Sequence, residues 1–252
     1  TEFLKPVERI FFHWGVSTAF DVRILNVIKQ VRSAQGRFGK GFLPIYDSWI
    51  PLAEMRLFKS AFELSELRAT CLITAKTHLE AMKYLKPGMT EREVEGYIIH
   101  QFYSMGAARE GYGHIVASGA NSCTLHYRFN DQVCKDGDLI LIDAGAERNY
   151  FTGDIPRTFP IGRKFSEPQR LIYSGVLEVQ KKIIDMVRPG VPFKDLQDRT
   201  IEMLTDFMIE VGILTGTRAA NIDSLAFKRY YPHGVSHFLG MDVHDPGQVL
   251  IN

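Results

Sequence analysis

Asp143 closes a run of four aliphatic residues, Leu139 to Ile142, and Asp154 follows Gly153 just before a second apolar run, Ile155 to Ile161. If the chain turns around Arg148-Asn149, the two runs form a hairpin in which Asp143 faces Asp154. Opposed side chains on one sheet face have Cβ atoms ~4.5–5.5 Å apart, and like charges there are destabilising. Two carboxylates in such partly dry surroundings need a cation, or one must hold a proton. Converging oxygens at that separation suit a divalent metal, and a two-metal site has its ions ~3.5–4 Å apart. A register slip, or a bulge at Gly153, is the competing reading, in which the two carboxylates never meet.

Five histidines stand in suggestive places: His114, His126, His233, His237 and His244. The last three fall within Pro232 to Asp245, amid glycines and aspartates. A lone histidine is usually a satisfied core or surface residue, but three in so short a span point to the lining of a site. In an extended segment four residues span ~13 Å, which gives His233 and His237 separate jobs. Nucleophilic catalysis is less well supported. Ser118-Gly119 and Ser236 lack the strand-turn-helix context of a nucleophile elbow. Cys123 near His126 lacks the orienting third group that a thiol nucleophile needs.

The elements that must position these residues are well punctuated. Ser60-Ala61-Phe62-Glu63 is a capping box, and the helix it opens runs to Pro87-Gly88. Thr90-Glu91-Arg92-Glu93 is a second, opening a helix that ends near Gly106. Ser166-Glu167-Pro168-Gln169 opens a third helix, ending at Pro189-Gly190, and a fourth runs from Phe193 to Val211. Lys86-Pro87-Gly88-Met89 and Arg188-Pro189-Gly190-Val191 occupy equivalent places about a hundred residues apart, as an internal duplication of helix, Pro-Gly turn, helix and sheet would place them. Strand signals between the helix pairs, at Ile115 to Ala117 and Leu139 to Ile142, make this an α+β domain.

Residues 1 to 50 read differently. Ile10 to Phe12 is a candidate strand and Ala19 to Val31 a candidate helix. A Gly-rich stretch follows at Gly36 to Gly41, and Leu43-Pro44 through Ile50-Pro51 reads as an extended linker. The expected boundary is near Pro51.

Composition excludes several function classes. Thirty basic and 29 acidic side chains leave a formal net charge of +1, no electrostatic footprint for nucleic acid or an anionic membrane. Apolar residues make up 45% and charged residues 23%, as in ordinary globular proteins. The three cysteines, Cys71, Cys123 and Cys134, show no CxxC spacing and fit a reducing compartment. No apolar run approaches the ~20 residues needed to span a bilayer, and Thr1 to Arg9 lacks a signal-peptide layout. The expectation is a soluble, cytoplasmic protein.

The motifs also resemble a known family. Leu141 to Gly145 and Gly153 to Pro160 are similar to the double-aspartate signature of the "pita-bread" metallopeptidases. His233 to Gly240 and Asp242 to Asp245 resemble the histidine segment of the aminopeptidase P and prolidase branch. Glu54 to Ser60, entering the first of the four helices, resembles bacterial aminopeptidase P. The resemblance implies the pita-bread (creatinase/aminopeptidase) fold, with two helix–sheet halves related by a pseudo-two-fold axis. It makes residues 1–50 the remnant of an N-terminal creatinase-like domain and linker, and 51–252 a truncated catalytic domain.

The same resemblance implies two divalent metal ions, Mn²⁺ first for a carboxylate-rich donor set and Zn²⁺ or Co²⁺ as alternatives. Asp143 would bind one ion, Asp154 would bridge both, and His237 would ligate the second. His126, His233 and His244 would be catalytic or substrate-pocket residues. The reaction implied is hydrolysis of the bond between an N-terminal residue and proline by a metal-bridged hydroxide, in a homo-oligomer. Prolidase action on Xaa-Pro dipeptides and a metal-free binding module are the alternatives. The family's two glutamate ligands lie downstream of the histidine segment and are absent here. Activity is therefore expected of the parent protein rather than of this chain.

Overall fold

The computed structural model describes residues 9–35, 44–162 and 164–247. The Gly-rich stretch at 36–41 lies outside them. The described residues form two compact units that divide between Phe58 and Lys59, with Pro246 and Gly247 grouped with the first.

In the first unit, strand β1 (Ile10–Phe12) pairs in parallel with β2 (Ile45–Asp47), and helix α1 (Thr18–Gln35) connects them. The extended linker expected around Pro44 to Pro51 is therefore not a linker. Its first part is β2, and helix α2 (Trp49–Leu57) runs through the expected boundary. Pro51 is compatible with α2 because it stands in the first turn, where a helix has no use for its N–H.

The second unit opens with α3 (Ala61–Tyr84) and α4 (Glu91–Ser104), followed by β3 (Arg109–Glu110), β4 (Ile115–Ser118), β5 (Leu139–Ala144), β6 (Ala146–Arg148), β7 (Phe151–Thr152) and β8 (Ile155–Pro160). Helices α5 (Glu167–Met186), α6 (Phe193–Glu210) and α7 (Arg218–Asp223) complete it. The three capping boxes form as the sequence predicts. Ser60 N donates to Glu63 Oε2 (2.6 Å), Thr90 N to Glu93 Oε2 (2.7 Å) and Ser166 N to Gln169 Oε1 (2.9 Å). The Pro-Gly stops recur too, Gly88 and Gly190 both taking φ +90°. The helix pair is thus repeated; among the described residues no strand follows β8.

The strands make two antiparallel sheets, ordered β3-β6-β7 and β4-β5-β8. Burial alternates along β5. Ile140, Ile142 and Ala144 face the main core with Ile73, Val94, Ile98 and Phe102 from α3 and α4. Each such large side chain contributes roughly 1.5–3 kcal/mol through burial. Leu141 and Asp143 take the opposite face, where Leu141 packs with Ile115, Ala117 and Tyr127. Period-two alternation thus aims Asp143 away from the helices and toward the candidate site.

His78, on α3, is 3% exposed. Its ring nitrogens approach the backbone of Ile155 and Ala144 without reaching hydrogen-bonding geometry. Burial, and secondarily the Arg157 charge, push its pKa down to about 4. A depressed histidine pKa gives stability that is full above the unfolded value of ~6.5 and is lost as pH falls through the folded value. His78→Leu is therefore expected to flatten the loss of stability between pH 6.5 and 4, worth about 3 kcal/mol. Urea melts across that range check it, and an unchanged acid limb would refute it.

Candidate metal centre

The two sheets are joined by one bent hairpin. Its turn is Asn149-Tyr150, with φ of 50° and 68°. Positive φ at both central residues is the signature of the tight two-residue turn that suits strand twist. Glu147 Oε1 accepts from Tyr150 N (2.9 Å) and Glu66 Oε2 from Asn149 Nδ2 (3.0 Å), which hold the turn. This centre lies one residue beyond the expected Arg148-Asn149, so every partner moves by two. Asp143 faces Pro156 rather than Asp154. The same register holds on both sides of Gly153, so no bulge is inserted there. A shift of two preserves the face, and the aspartates become diagonal neighbours, typically ~7–8 Å apart.

Tyr112 spans that gap. Gly111 N donates to Gly145 O (2.8 Å), bringing the segment before β4 against the bend of the hairpin. The Tyr112 hydroxyl donates to Asp143 Oδ1 (2.5 Å) and lies 3.1 Å from Asp154 Oδ1. Burial raises the Asp143 pKa; the Tyr112 hydrogen bond opposes this, and the charge of Asp154 adds to it. Burial and both carboxylates push the Tyr112 phenol far up, so it stays a donor.

The histidine segment joins through Thr152 N, which donates to Gly240 O (3.1 Å), and through the Lys59–Asp245 ion pair (3.0 Å). These contacts bring His237 Nε2 to 3.0 Å from Asp154 Oδ2 and its ring to 4.2 Å from that of His244. His233 is exposed, its Nδ1 3.0 Å from Gly234 O and its ring beside Tyr231. His126 is exposed too, with φ 54°, near enough to Asp143 for its charge to act on that carboxyl. Neither His126 nor His233 bonds to an aspartate among the described residues. His114 is buried, edge-on to Phe102 and Tyr112, and belongs to the packing behind the site.

Among the described residues, no three His, Cys, Asp or Glu side chains gather closely enough to hold a metal ion. The chemistry of the cluster nonetheless fits a cation. Two like-charged carboxylates converge on one hydroxyl, which has one proton to donate. His237 has oxygen acceptors at both nitrogens, Phe238 O at Nδ1 (2.9 Å) and Asp154 at Nε2. A neutral imidazole can serve one of them, and a cation between Nε2 and Asp154 would serve the other.

Sequence reasoning missed Tyr112. The available signal was Gly111-Tyr112-Gly113, a large polar side chain between two glycines just ahead of a strand. Tyr112→Phe in the full-length protein is expected to weaken divalent-metal affinity about 10–100-fold, as loss of a ligand's orienting partner does. It also removes the bond that holds Asp143 down. Asp143's raised pKa makes the metal-free fold lose stability as pH rises through it, and the variant moves that loss to higher pH. Calorimetric titration with MnCl₂ and metal-free melts against pH test both; wild-type affinity would reduce Tyr112 to packing.

Residues 65–252 match the model of metallopeptidase family M24. The chain is 44% identical over 200 residues to the Xaa-Pro aminopeptidase of Haemophilus influenzae, covering 79% of this chain and 46% of that protein. It is 43% identical over 247 residues to the Xaa-Pro aminopeptidase of Escherichia coli, covering 98% and 56%. The chain thus spans about half the length of the curated relatives it matches. The Pseudomonas aeruginosa aminopeptidase PepP superposes with a TM-score of 0.89 at 37% identity, over 96% of this chain and 55% of that one. Zn-substituted E. coli aminopeptidase P in complex with product gives 0.88 at 38%, over 96% and 55%. These likenesses identify the pita-bread fold.

Proposed function

The chain belongs to metallopeptidase family M24, and from that premise we propose that it is part of an Xaa-Pro aminopeptidase whose metal centre includes Asp143, Asp154 and His237. The observation that carries this reading is the convergence of Asp143 and Asp154 on Tyr112, with His237 on the far oxygen of Asp154. Similarity to Xaa-Pro aminopeptidases along 98% of the chain supports the substrate class, peptides with proline second.

Divalent ions held there, Mn²⁺ first, would polarise a peptide carbonyl and acidify a water near neutral pH. The chain's own residues do the rest. Asp143 and Asp154 supply negative charge that an incoming cation neutralises. Tyr112 orients Asp143 through its hydroxyl and opposes the upward push of burial on that carboxyl. His126, on its exposed loop, delivers a proton to the leaving imino nitrogen. His244, its ring tilted against that of His237 with centroids 4.2 Å apart, would stabilise the tetrahedral intermediate. His233 carries its proton on Nδ1 toward Gly234 O, leaving Nε2 as an acceptor for substrate.

The test is release of free Xaa from Xaa-Pro-Yaa tripeptides by the full-length protein, with and without added Mn²⁺. Metal-dependent release is expected. Cleavage of Xaa-Pro dipeptides alone would move the assignment to prolidase, and no cleavage with no metal uptake would favour a binding module.

A further inference from the structure

Glu91 is the first residue of α4, immediately after the Thr90 cap. Its neighbour Glu93 is exposed and occupied with that cap, but Glu91 turns inward and has 0% of its surface exposed. Burying a carboxylate is costly unless donors satisfy it. Five do. Oε1 accepts from Ser118 N (2.7 Å), Ser118 Oγ (2.8 Å) and Asn121 Nδ2 (3.1 Å), and Oε2 from Tyr127 OH (2.8 Å) and Gln132 N (3.1 Å). Burial pushes the carboxyl pKa up, yet the bonds from Ser118, Tyr127 and Gln132 outweigh it and the net shift is downward. Glu91 is an anion in the neutral range.

Every one of these donors belongs to a single loop. It leaves β4 at Ser118, makes a 3-10 turn at Gly119–Cys123 and returns beside α4, where Glu91 N donates to Gln132 O (2.8 Å). His126 lies at its outer end, in an exposed stretch from Cys123 to His126, directly before the buried Tyr127. Asn130 makes a second anchor, its Oδ1 accepting from Val116 N (3.0 Å) and its Nδ2 donating to His114 O (3.0 Å). The exposed stretch owes its placement to the backbone on either side. His126 itself holds a φ of 54°, a conformation that costs a non-glycine residue energy and persists only where its surroundings impose it.

We propose that Glu91 is the positioning residue for His126: its carboxylate, gripping both limbs of the 118–132 loop, holds that imidazole in register with Asp143. The assignment rests on the aminopeptidase reading for its catalytic consequence, though not for the loop geometry. A carboxylate is required because glutamine would turn an NH₂ group toward one set of donors, leaving them unmatched.

The experiment uses the full-length, metal-loaded protein with Glu91→Gln, His126→Ala and the double variant. Glu91→Gln is expected to keep its metal content and its KM within a few-fold while kcat falls about 10²-fold, the cost of a displaced catalytic group. In the His126→Ala background it is expected to cost nothing further. Amide hydrogen exchange across 119–129 should accelerate in Glu91→Gln, with that of α3 unchanged. Tyr127→Phe removes one of the five bonds and should show the same pattern more weakly, which keeps the test available if Glu91→Gln does not fold. Equal losses in both backgrounds, or an unchanged exchange rate in the loop, would overturn the assignment. If the wild-type protein cleaves no Xaa-Pro peptide, the functional reading fails and the exchange measurement still decides the role of Glu91.

Discussion

Asp154→Ala in the full-length protein is expected to abolish metal-dependent stabilisation and to lower kcat/KM at least ~10³-fold, about 4 kcal/mol of transition-state stabilisation. Asp154 is the group that touches both partners in the cluster, the Tyr112 hydroxyl on one oxygen and His237 Nε2 on the other. Its removal leaves Asp143 and His237 with nothing joining them. A metal that binds only the folded state stabilises by about 2.7 kcal/mol at 100 times its Kd. Thermal melts of wild type should show that increment with excess MnCl₂, and melts of the variant should not. Without metal the sign reverses. Asp154 is a like charge that raises the Asp143 pKa, so the metal-free variant is expected to melt no lower than metal-free wild type. Full metal-dependent stabilisation in the variant would exclude Asp154 as a ligand.

Gly145→Ala should be the most damaging single change to the fold. Gly145 sits at the bend of the hairpin, where a Cβ would stand 1.8 Å from Gly153 O and 2.7 Å from Tyr112 Cε1. The first of these is backbone and cannot rotate away, so the strands must part. Overpacking of this kind costs 1–3 kcal/mol or more, and about 3 kcal/mol is expected here. The same separation pulls Asp154 away from Tyr112, so metal affinity should fall with stability. Gly96→Ala is the matching control: the residue is exposed on α4, with nothing within 4 Å of the new Cβ. It should stabilise by about 0.5–1 kcal/mol. Urea midpoints compared at constant m-value decide both, and a wild-type midpoint for Gly145→Ala would show that the bend tolerates separation.

What could be read in advance follows how local each cause is. Ser60, Thr90 and Ser166 cap helices through bonds to residues three positions on, so a four-residue pattern contains the whole interaction. The hairpin register turned on Tyr150, a bulky residue in a left-handed conformation that its own side chain does not favour. Pro51, read as the end of an extended linker, became a first-turn residue because α2 begins at Trp49, two residues before it.

By itself the sequence determined helices α3 to α6 and their stops, the strand that ends at Asp143, and the residue types able to hold a cation. Those depend on spacing along the chain, and backbone geometry converts spacing directly into direction. Only the tertiary structure decided that the aspartates are diagonal rather than opposed, that Tyr112 fills the gap between them, and that Glu91 serves a loop rather than a helix end. The first turned on which two residues the tight turn took as its centre, and the other two join segments tens of residues apart, where no periodicity reaches.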